Sequence, residues 1–301
     1  MRINNNITAL NSHRQYNINN GKLGKNVEKL SSGFRVNRAA DDAAGLAISE
    51  KMRAQIRGLN MASKNSQDAI SLVQTAEGGM QTIQDILQRV RELAVQSASD
   101  TNQDDIDREA LDLEVQQLLK EVNQITDTTE FNKMRLMDGT YQAEPPLTFV
   151  NKEGDSVTGE PLTIQAGANE GQVMTITIRQ LTLEGLQLTK ITDADAKVID
   201  GQISVTTRET AAYTISKIEN ALNTVSMQRA ALGAFQNRLE FKVQNLNNQA
   251  ENVAAAESRI RDADMAAMMT EFTKNNILFQ SSTAMLAQAN ALPQSVLQLL
   301  G

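Results

Sequence analysis

The side chains that most often do chemistry are scarce in this chain and poorly spaced for it. One histidine, His13, and no cysteine leave no acid–base pair of histidines, no thiolate nucleophile, no disulfide framework and no zinc set built from either residue. As a lone polar residue on a helical stretch, His13 reads as structural or solvated. No G-x-x-x-x-G-K-[ST] loop is present and no G-x-G-x-x-G follows a strand pattern, so nucleotide phosphates have no cradle. The run Asp100, Asn102, Asp104, Asp105, Asp107 begins like a calcium loop, but the sixth position is Asp105 where the sharp turn needs glycine. The twelfth is Leu111, where a bidentate glutamate is needed. The run reads instead as an acidic helix start favoured by the macrodipole. Met265, Met268 and Met269 could offer soft thioether ligands, yet methionine at helical spacing is the usual adaptable packing residue. Asn6-Ile7-Thr8 matches a glycosylation sequon, and Gln88, Arg89, Arg91 and Glu92 read as the solvated face of a helix. The residues point to no catalytic, cofactor or metal site.

The elements that carry these residues are long. Residues 1–144 and 162–292 contain no proline; Pro145, Pro146, Pro161 and Pro293 all fall outside them. Proline removes a backbone donor and clashes with the preceding turn, so its absence permits uninterrupted helices and its cluster at 145–161 marks a break. Ile3, Ile7 and Leu10 form one short stripe, and Tyr16, Leu23, Val27, Leu30 and Phe34 a second, shifted in phase, which reads as a narrow seam with a stutter. Charged and small residues over 35–45 interrupt it, with a helix cap at Asp41 or Asp42. Ala69, Val73, Ala76, Met80, Ile83, Leu87, Val90 and Ala94 then repeat at alternating intervals of 4 and 3, the strongest helix signal in the chain. After a polar turn, Leu111, Val115, Leu118, Val122 and Ile125 repeat the pattern, and the short connection predicts an antiparallel neighbour. Met174, Ile176 and Ile178 alternate with Thr175 and Thr177, so residues 140–207 read as a small strand-rich patch. Helical spacing returns from 209 through Ile218, Leu222, Val225, Leu232, Leu239, Val243, Leu246, Ala250 and Val253, interrupted by Arg229 and Gln236. In the last segment Met265, Phe272, Phe279, Leu286 and Leu300 lie on one heptad grid with Pro293, and Met268, Asn275, Ser282, Ala289 and Val296 on the intermediate one. This stripe is able to pair with the N-terminal one.

Composition agrees with thin helical layers. Aromatic residues are only 3% and tryptophan is absent, while apolar residues make up 41%, too many for wholesale disorder. The net charge of −7 disfavours nucleic acid and anionic membrane as partners. Residues 1–30 lack the apolar core of a cleaved secretory signal, so export, if it occurs, is expected to use another machine. The predicted fold is mainly α: a long antiparallel helical coiled-coil rod built from both termini, with a small β-rich patch in the middle.

Several strings resemble bacterial flagellins. At the N-terminal end they are Met-Arg-Ile-Asn-Asn-Asn-Ile at 1–7, Lys-Leu-Ser-Ser-Gly at 29–33, Asn-Arg-Ala-Ala-Asp-Asp-Ala-Ala-Gly-Leu-Ala-Ile-Ser at 37–49, and Leu-Gln-Arg-Val-Arg-Glu-Leu-Ala-Val-Gln at 87–96. At the C-terminal end they are Ala-Glu-Ser-Arg-Ile-Arg-Asp-Ala-Asp-Met at 256–265 and Thr-Ala-Met-Leu-Ala-Gln-Ala-Asn-Ala-Leu-Pro-Gln-Ser-Val-Leu at 283–297. The stretches Met265-Ala-Ala-Met-Met and Leu278-Phe279-Gln-Ser-Ser depart from the family's more polar pattern there.

The resemblance implies a structural subunit that self-assembles into the flagellar filament for swimming, with no enzymatic activity and no cofactor. It implies that 1–40 and 262–301 form a coiled-coil inner tube, that 41–139 and 208–261 form a helical rod, and that 140–207 is the β-rich part of that rod with a short variable region. The implied assembly seam is Ile3, Ile7, Leu10, Leu23, Val27, Leu30, Phe34, Met265, Phe272, Phe279, Leu286, Val296 and Leu300. The implied partners are further copies of the chain, the flagellar export apparatus, a chaperone on the C-terminal helix, and hook-associated proteins; the implied location is extracellular. Some flagellins bind Toll-like receptor 5, and the matching positions are Gln88, Arg89, Leu93 and Glu114. The alternatives are a hook–filament junction protein or a secreted coiled-coil adaptor. Ordering residues 1–40 and 262–301 costs roughly 1–2 kcal/mol of backbone entropy per residue, which one narrow seam offsets poorly. Order at the ends is therefore expected to come with assembly.

Overall fold

A computed structural model describes residues 6–99, 106–142, 148–150, 156–158, 160–188, 190–192, 198–200 and 203–300, without the side chains of 148–150, 156–158, 190–192, 198–200 and 292–300. Ile3 of the predicted seam, the acidic run at 100–105, and Pro145 and Pro146 lie outside the described residues, as do the side chains of Val296 and Leu300. The described chain is mainly helical, as its periodicity predicts. Its helices are α1 (Ile7–Ser32), α2 (Ala43–Ser97), α3 (Asp107–Thr128), α4 (Arg208–Arg261) and α5 (Met265–Leu300). Between α3 and α4 lie four antiparallel strand pairs: β1 (Glu130–Phe131) with β2 (Met134–Arg135), β3 (Thr148–Val150) with β4 (Ser156–Thr158), β5 (Leu162–Gln165) with β6 (Val173–Ile176), and β7 (Lys190–Thr192) with β8 (Val198–Asp200).

Local chemistry sets the helix ends. The N–H of Gly33, in the left-handed region at φ 73°, closes α1 on the Lys29 carbonyl. Of the two predicted caps for α2, Asp42 takes the role: its Oδ1 accepts the Gly45 N–H at 2.8 Å. Asp41 instead holds the preceding turn by accepting the N–H groups of Asn37 and Arg38. Asp264 caps α5 by accepting from Ala266 and Ala267. Pro293 lies within the last helix, which runs on to Leu300 as the heptad grid through 265–300 implies. A proline in a helix interior costs only its own missing donor and a local clash, and a helix packed along its length tolerates both.

The chain divides into two compact units, Met1–Arg57 with Ala250–Gly301, and Gly58–Gln249. In the second, all eight residues of the predicted α2 stripe are buried, and Val73, Ala76, Met80, Ile83, Leu87, Val90 and Ala94 are fully enclosed. The larger ones contribute about 1.5–3 kcal/mol each through burial. The α3 helix runs back along α2, since Arg108 donates to the Ser97 carbonyl at 3.0 Å while Glu114 meets Arg89. Its buried face is Arg108, Val115, Leu119, Val122 and Thr126, so Leu119 takes the enclosed place that the spacing assigns to Leu118. The shift has a cause: α3 is also bonded on a second side, with Asn123 accepting from Leu183 N–H, Asp112 accepting from Val205 N–H and Gln116 donating to the Ile203 carbonyl. A helix covered on two sides buries a wider face than one stripe, and Leu111, Leu118 and Ile125 pack at its margins.

On α4, Ile218, Val225, Leu232, Leu239 and Leu246 are buried. Arg229, which breaks that stripe, donates to Gln84 Oε1 at 2.7 Å and lies 3.6 Å from Glu77, so the interruption is a polar bridge from α4 to α2. Gln236 bonds Glu240 one turn on. The β1–β2 hairpin has no counterpart in the sequence reading, because two-residue strands are too short to alternate. Its turn, Asn132-Lys133, holds both residues at positive φ, the requirement of a type I′ hairpin. Gly79 is needed close by: a Cβ there would lie 2.6 Å from Met137 Cε and 2.9 Å from Thr129 Oγ1.

Candidate functional site

The first unit brings α1 and α5 together as an antiparallel pair, with Asn6 against Ala289, Tyr16 against Phe279 and Asn19 against Ser282. The face that α1 turns inward is Ala9, Ser12, Tyr16, Asn19, Leu23, Asn26 and Leu30, the more enclosed residues of its middle turns. These follow the intervals 3, 4, 3, 4, 3, 4 without a stutter. The corresponding face of α5 is Met268, Phe272, Asn275, Phe279, Ser282, Leu286 and Ala289. Five of these fourteen residues, Ser12, Asn19, Asn26, Asn275 and Ser282, are polar. Asn19 and Ser282 are buried, Asn19 Nδ2 donates to Ser282 Oγ at 2.6 Å, and Ser282 Oγ donates to the Leu278 carbonyl. Asn26 Nδ2 is buried with no partner.

The expected seam residues are distributed over two faces. Leu23, Leu30, Phe34, Phe272, Phe279 and Leu286 are half-buried, with Tyr16 and Phe279 rings 5.1 Å apart. Ile7, Leu10 and Val27 on α1 and Met265 on α5 are exposed, as are Ile18, Met269, Ile277 and Met285. The expected stripe thus resolves into an inner seam broken by asparagines and apolar residues left exposed around the outside of the pair. Asn19, Asn26 and Asn6 escaped the sequence reading, although the seven-residue spacing of Ser12, Asn19 and Asn26 was there to find. His13 lies outside the seam, stacked near Tyr16 and within 3.3 Å of Asn17.

A clasp joins the segment after α1 to the α4–α5 corner. Phe34 and Asp262 form a backbone bridge, Arg35 N–H donates to the Arg261 carbonyl at 2.7 Å, and Ala263 N–H donates to the Gly33 carbonyl at 3.0 Å. The Arg35 guanidinium reaches the Arg259 and Ile260 carbonyls at the end of α4, where the macrodipole favours a cation. Arg261 bonds Glu50 and stacks over the Phe34 ring at 4.8 Å. The Arg261 hydrogen bond holds the Glu50 carboxyl below its usual range, and the backbone N–H groups of Arg38 and Asn37 do the same for Asp41.

The polar row of α2 is ordered in the second unit. Arg89 Nε and Nη2 both donate to Glu114 Oε1, at 3.2 and 3.0 Å, and Nη1 donates to Glu92 at 3.1 Å. These two carboxylates, Glu114 first, raise the Arg89 pKa further above its usual value. Gln88 lies beside a shallow groove lined by Arg91, Glu92, Val95 and Leu222. Leu93 is 1% exposed and belongs to the core, so its side chain presents no surface. The residues expected for receptor contact therefore divide into an exposed ion-pair cluster and one packing residue. Among the described residues, no three His, Asp or Glu converge as metal ligands, and no helix is long and apolar enough to cross a membrane.

Comparison with known proteins accords with this arrangement. Residues 3–142 match the bacterial flagellin N-terminal helical region, and residues 215–300 the bacterial flagellin C-terminal helical region. A flagellin of Halalkalibacterium halodurans is 49% identical over 300 residues, covering all of both chains. The flagellar filament 30.7 kDa core protein of Treponema maltophilum is 44% identical over 300 residues, again covering both chains entirely. Among solved structures, a flagellar hook-associated protein of Vibrio parahaemolyticus shares the fold over 74% of this chain and 100% of its own, with a TM-score of 0.56 at 13% identity.

Proposed function

Because the chain belongs to the bacterial flagellin family, we propose the role its geometry supports best: a structural subunit that adds to further copies of itself, without closing, to build the extracellular flagellar filament. The observation that carries it is the set of apolar residues left exposed around the terminal pair. Ile7, Leu10, Val27, Met265, Met269, Ile277 and Met285 stay exposed on two helices that have already used their mutual seam. A pair of helices cannot enclose residues on its outside, and copies packed around it can. A heterologous contact that does not close on itself propagates as a helical polymer.

Residues 1–40 and 262–301 then form the coiled-coil inner tube, 41–139 and 208–261 the helical rod, and 140–207 the β-rich part of that rod with a short variable region. Export through the flagellar apparatus, a chaperone on the C-terminal helix and contact with hook-associated proteins belong to the same reading. Recognition by Toll-like receptor 5 would use the cluster Gln88, Arg89 and Glu114, with Leu93 holding α2 in place from the core.

The test is seeded growth. Short filament seeds added to purified chain in ammonium sulfate, which strengthens apolar burial, should elongate into long uniform tubes by electron microscopy. Short caps at the seed ends would favour a junction protein, and no addition a coiled-coil adaptor.

A further inference from the structure

The heptad pattern of the terminal pair does not by itself select a register. On α1 the polar layers Ser12, Asn19 and Asn26 are seven apart, and on α5 so are Asn275, Ser282 and Ala289. Sliding one helix by a heptad would again set small or polar residues opposite one another and Tyr16 opposite Leu286 or Phe272. A buried asparagine usually fixes register in such a seam, yet here the asparagines repeat with the slip.

One contact does not repeat. Pro293 lies within α5 and has no N–H, so the carbonyl four residues earlier, that of Ala289, has no helical donor. Ala289 is buried, with 6% exposure, so solvent is a poor substitute. The Asn6 side chain fills the vacancy: its Nδ2 donates to the Ala289 carbonyl at 2.7 Å. The other end of the same amide is also engaged, since Oδ1 accepts the Ala9 N–H at 3.0 Å, capping α1, and the Thr8 hydroxyl at 2.7 Å. Both capping bonds aim the amide nitrogen at α5. A heptad slip would carry Asn6 to the carbonyls of Ser282 or Val296, whose helical donors Leu286 and Leu300 are ordinary residues, and would leave Ala289 bare.

We propose that Asn6 and Pro293 form a register lock, in which the amide at the start of α1 recognises the one carbonyl of α5 that proline leaves free, and that this register is the one from which the chain assembles. The last clause rests on the filament reading, so assembly and register are measured separately.

The test is a cycle of Asn6→Ser, Pro293→Ala and the double variant. Serine keeps the cap but cannot reach α5; alanine restores the donor at 293 and leaves the Asn6 amide no free carbonyl to recognise. Either single variant should raise the critical concentration for seeded growth by about tenfold, and the double variant should stay within about twofold of the single ones. Register is read in the soluble chain in ammonium sulfate from the distance between spin labels at Gln15→Cys and Gln280→Cys, both exposed positions in a chain without cysteine. A single narrow distance should broaden in Asn6→Ser and in Pro293→Ala, and no further in the double variant. Unchanged growth and distance in either single variant, or effects that add in the double variant, overturn the lock. Wild-type chain that fails to elongate seeds removes the filament reading, and the distance measurement then decides the lock alone.

Discussion

The α2 stripe and the α1–α5 seam use the same intervals of 4 and 3 to different ends. From Val73 to Ala94 every α2 stripe residue is apolar and enclosed, covered by α3, α4 and the segment after β6. Along α1 the matching positions alternate Tyr16, Asn19, Leu23 and Asn26, and apolar residues of comparable size sit outside on Ile7, Leu10 and Val27. One region is complete within the chain; the other has polar layers in its seam and leaves apolar residues around its outside without cover. Periodicity announces a helix interface in both cases, and only the identity of the alternate positions tells which one is finished.

Truncation should separate the two regions most sharply. Removing residues 1–35 or 262–301 should abolish seeded growth while the remaining chain still unfolds in one cooperative transition in a thermal scan. Filaments of normal length from either truncation would contradict the division. Within the finished region, Leu87→Ala should cost about 2–5 kcal/mol in chemical denaturation, because a fully enclosed side chain leaves a cavity. Leu23→Ala, half-buried in the seam, should cost under about 1 kcal/mol in the soluble chain and act mainly on growth. Equal losses at the two sites would erase the contrast.

Acid should sharpen the comparison next. Glu50 and Asp41 are both held below their ordinary values of 4.5 and 3.8, so the folded clasp favours their charged forms. Their contribution is present above those values and is lost as pH falls through the lower folded ones. Protection of the Asn37 and Arg38 amides, whose N–H groups Asp41 accepts, should therefore fall relative to their intrinsic exchange as the pH drops below the ordinary 3.8 of Asp41, before the buried α2 amides respond. Simultaneous loss of protection in both regions would mean that the clasp opens only with global unfolding.

How much could be read in advance follows from the same contrast. The α2 stripe was legible because apolar residues recur without exception and every one meets a partner inside the chain. The α3 stripe was legible to within one residue, since Leu119 replaces Leu118 where neighbours on two sides widen the buried face. The α1 seam was misread as two apolar stripes with a stutter, because hydrophobicity is a guide to burial only where the buried positions are hydrophobic; here Ser12, Asn19 and Asn26 carry the contact. Pro293 falls on the heptad grid, but no pattern in the sequence shows that Asn6, at the other end of the chain, meets the carbonyl it leaves free. Arg89 and Glu114 are 25 positions apart, and only the reversal between α2 and α3 joins them.

That cluster yields the smallest expected effect on the molecule and a specific one on its recognition. Arg89 and Glu114 are about half exposed, so their bond is solvated and Arg89→Ala should leave the melting temperature and seeded growth almost unchanged. An exposed arginine held by three hydrogen bonds is nevertheless pre-ordered for a partner, and arginines of this kind carry a large share of interface energy. If the exposed face of α2 is the receptor surface, Arg89→Ala should shift the dose of chain needed for Toll-like receptor 5 signalling by about tenfold or more. Glu114→Ala should shift it less, because Arg89 keeps Glu92 as a partner and loses only orientation. The reverse order would place the contact on α3, and an unchanged dose curve for both variants would remove the cluster from the receptor surface without bearing on the terminal pair.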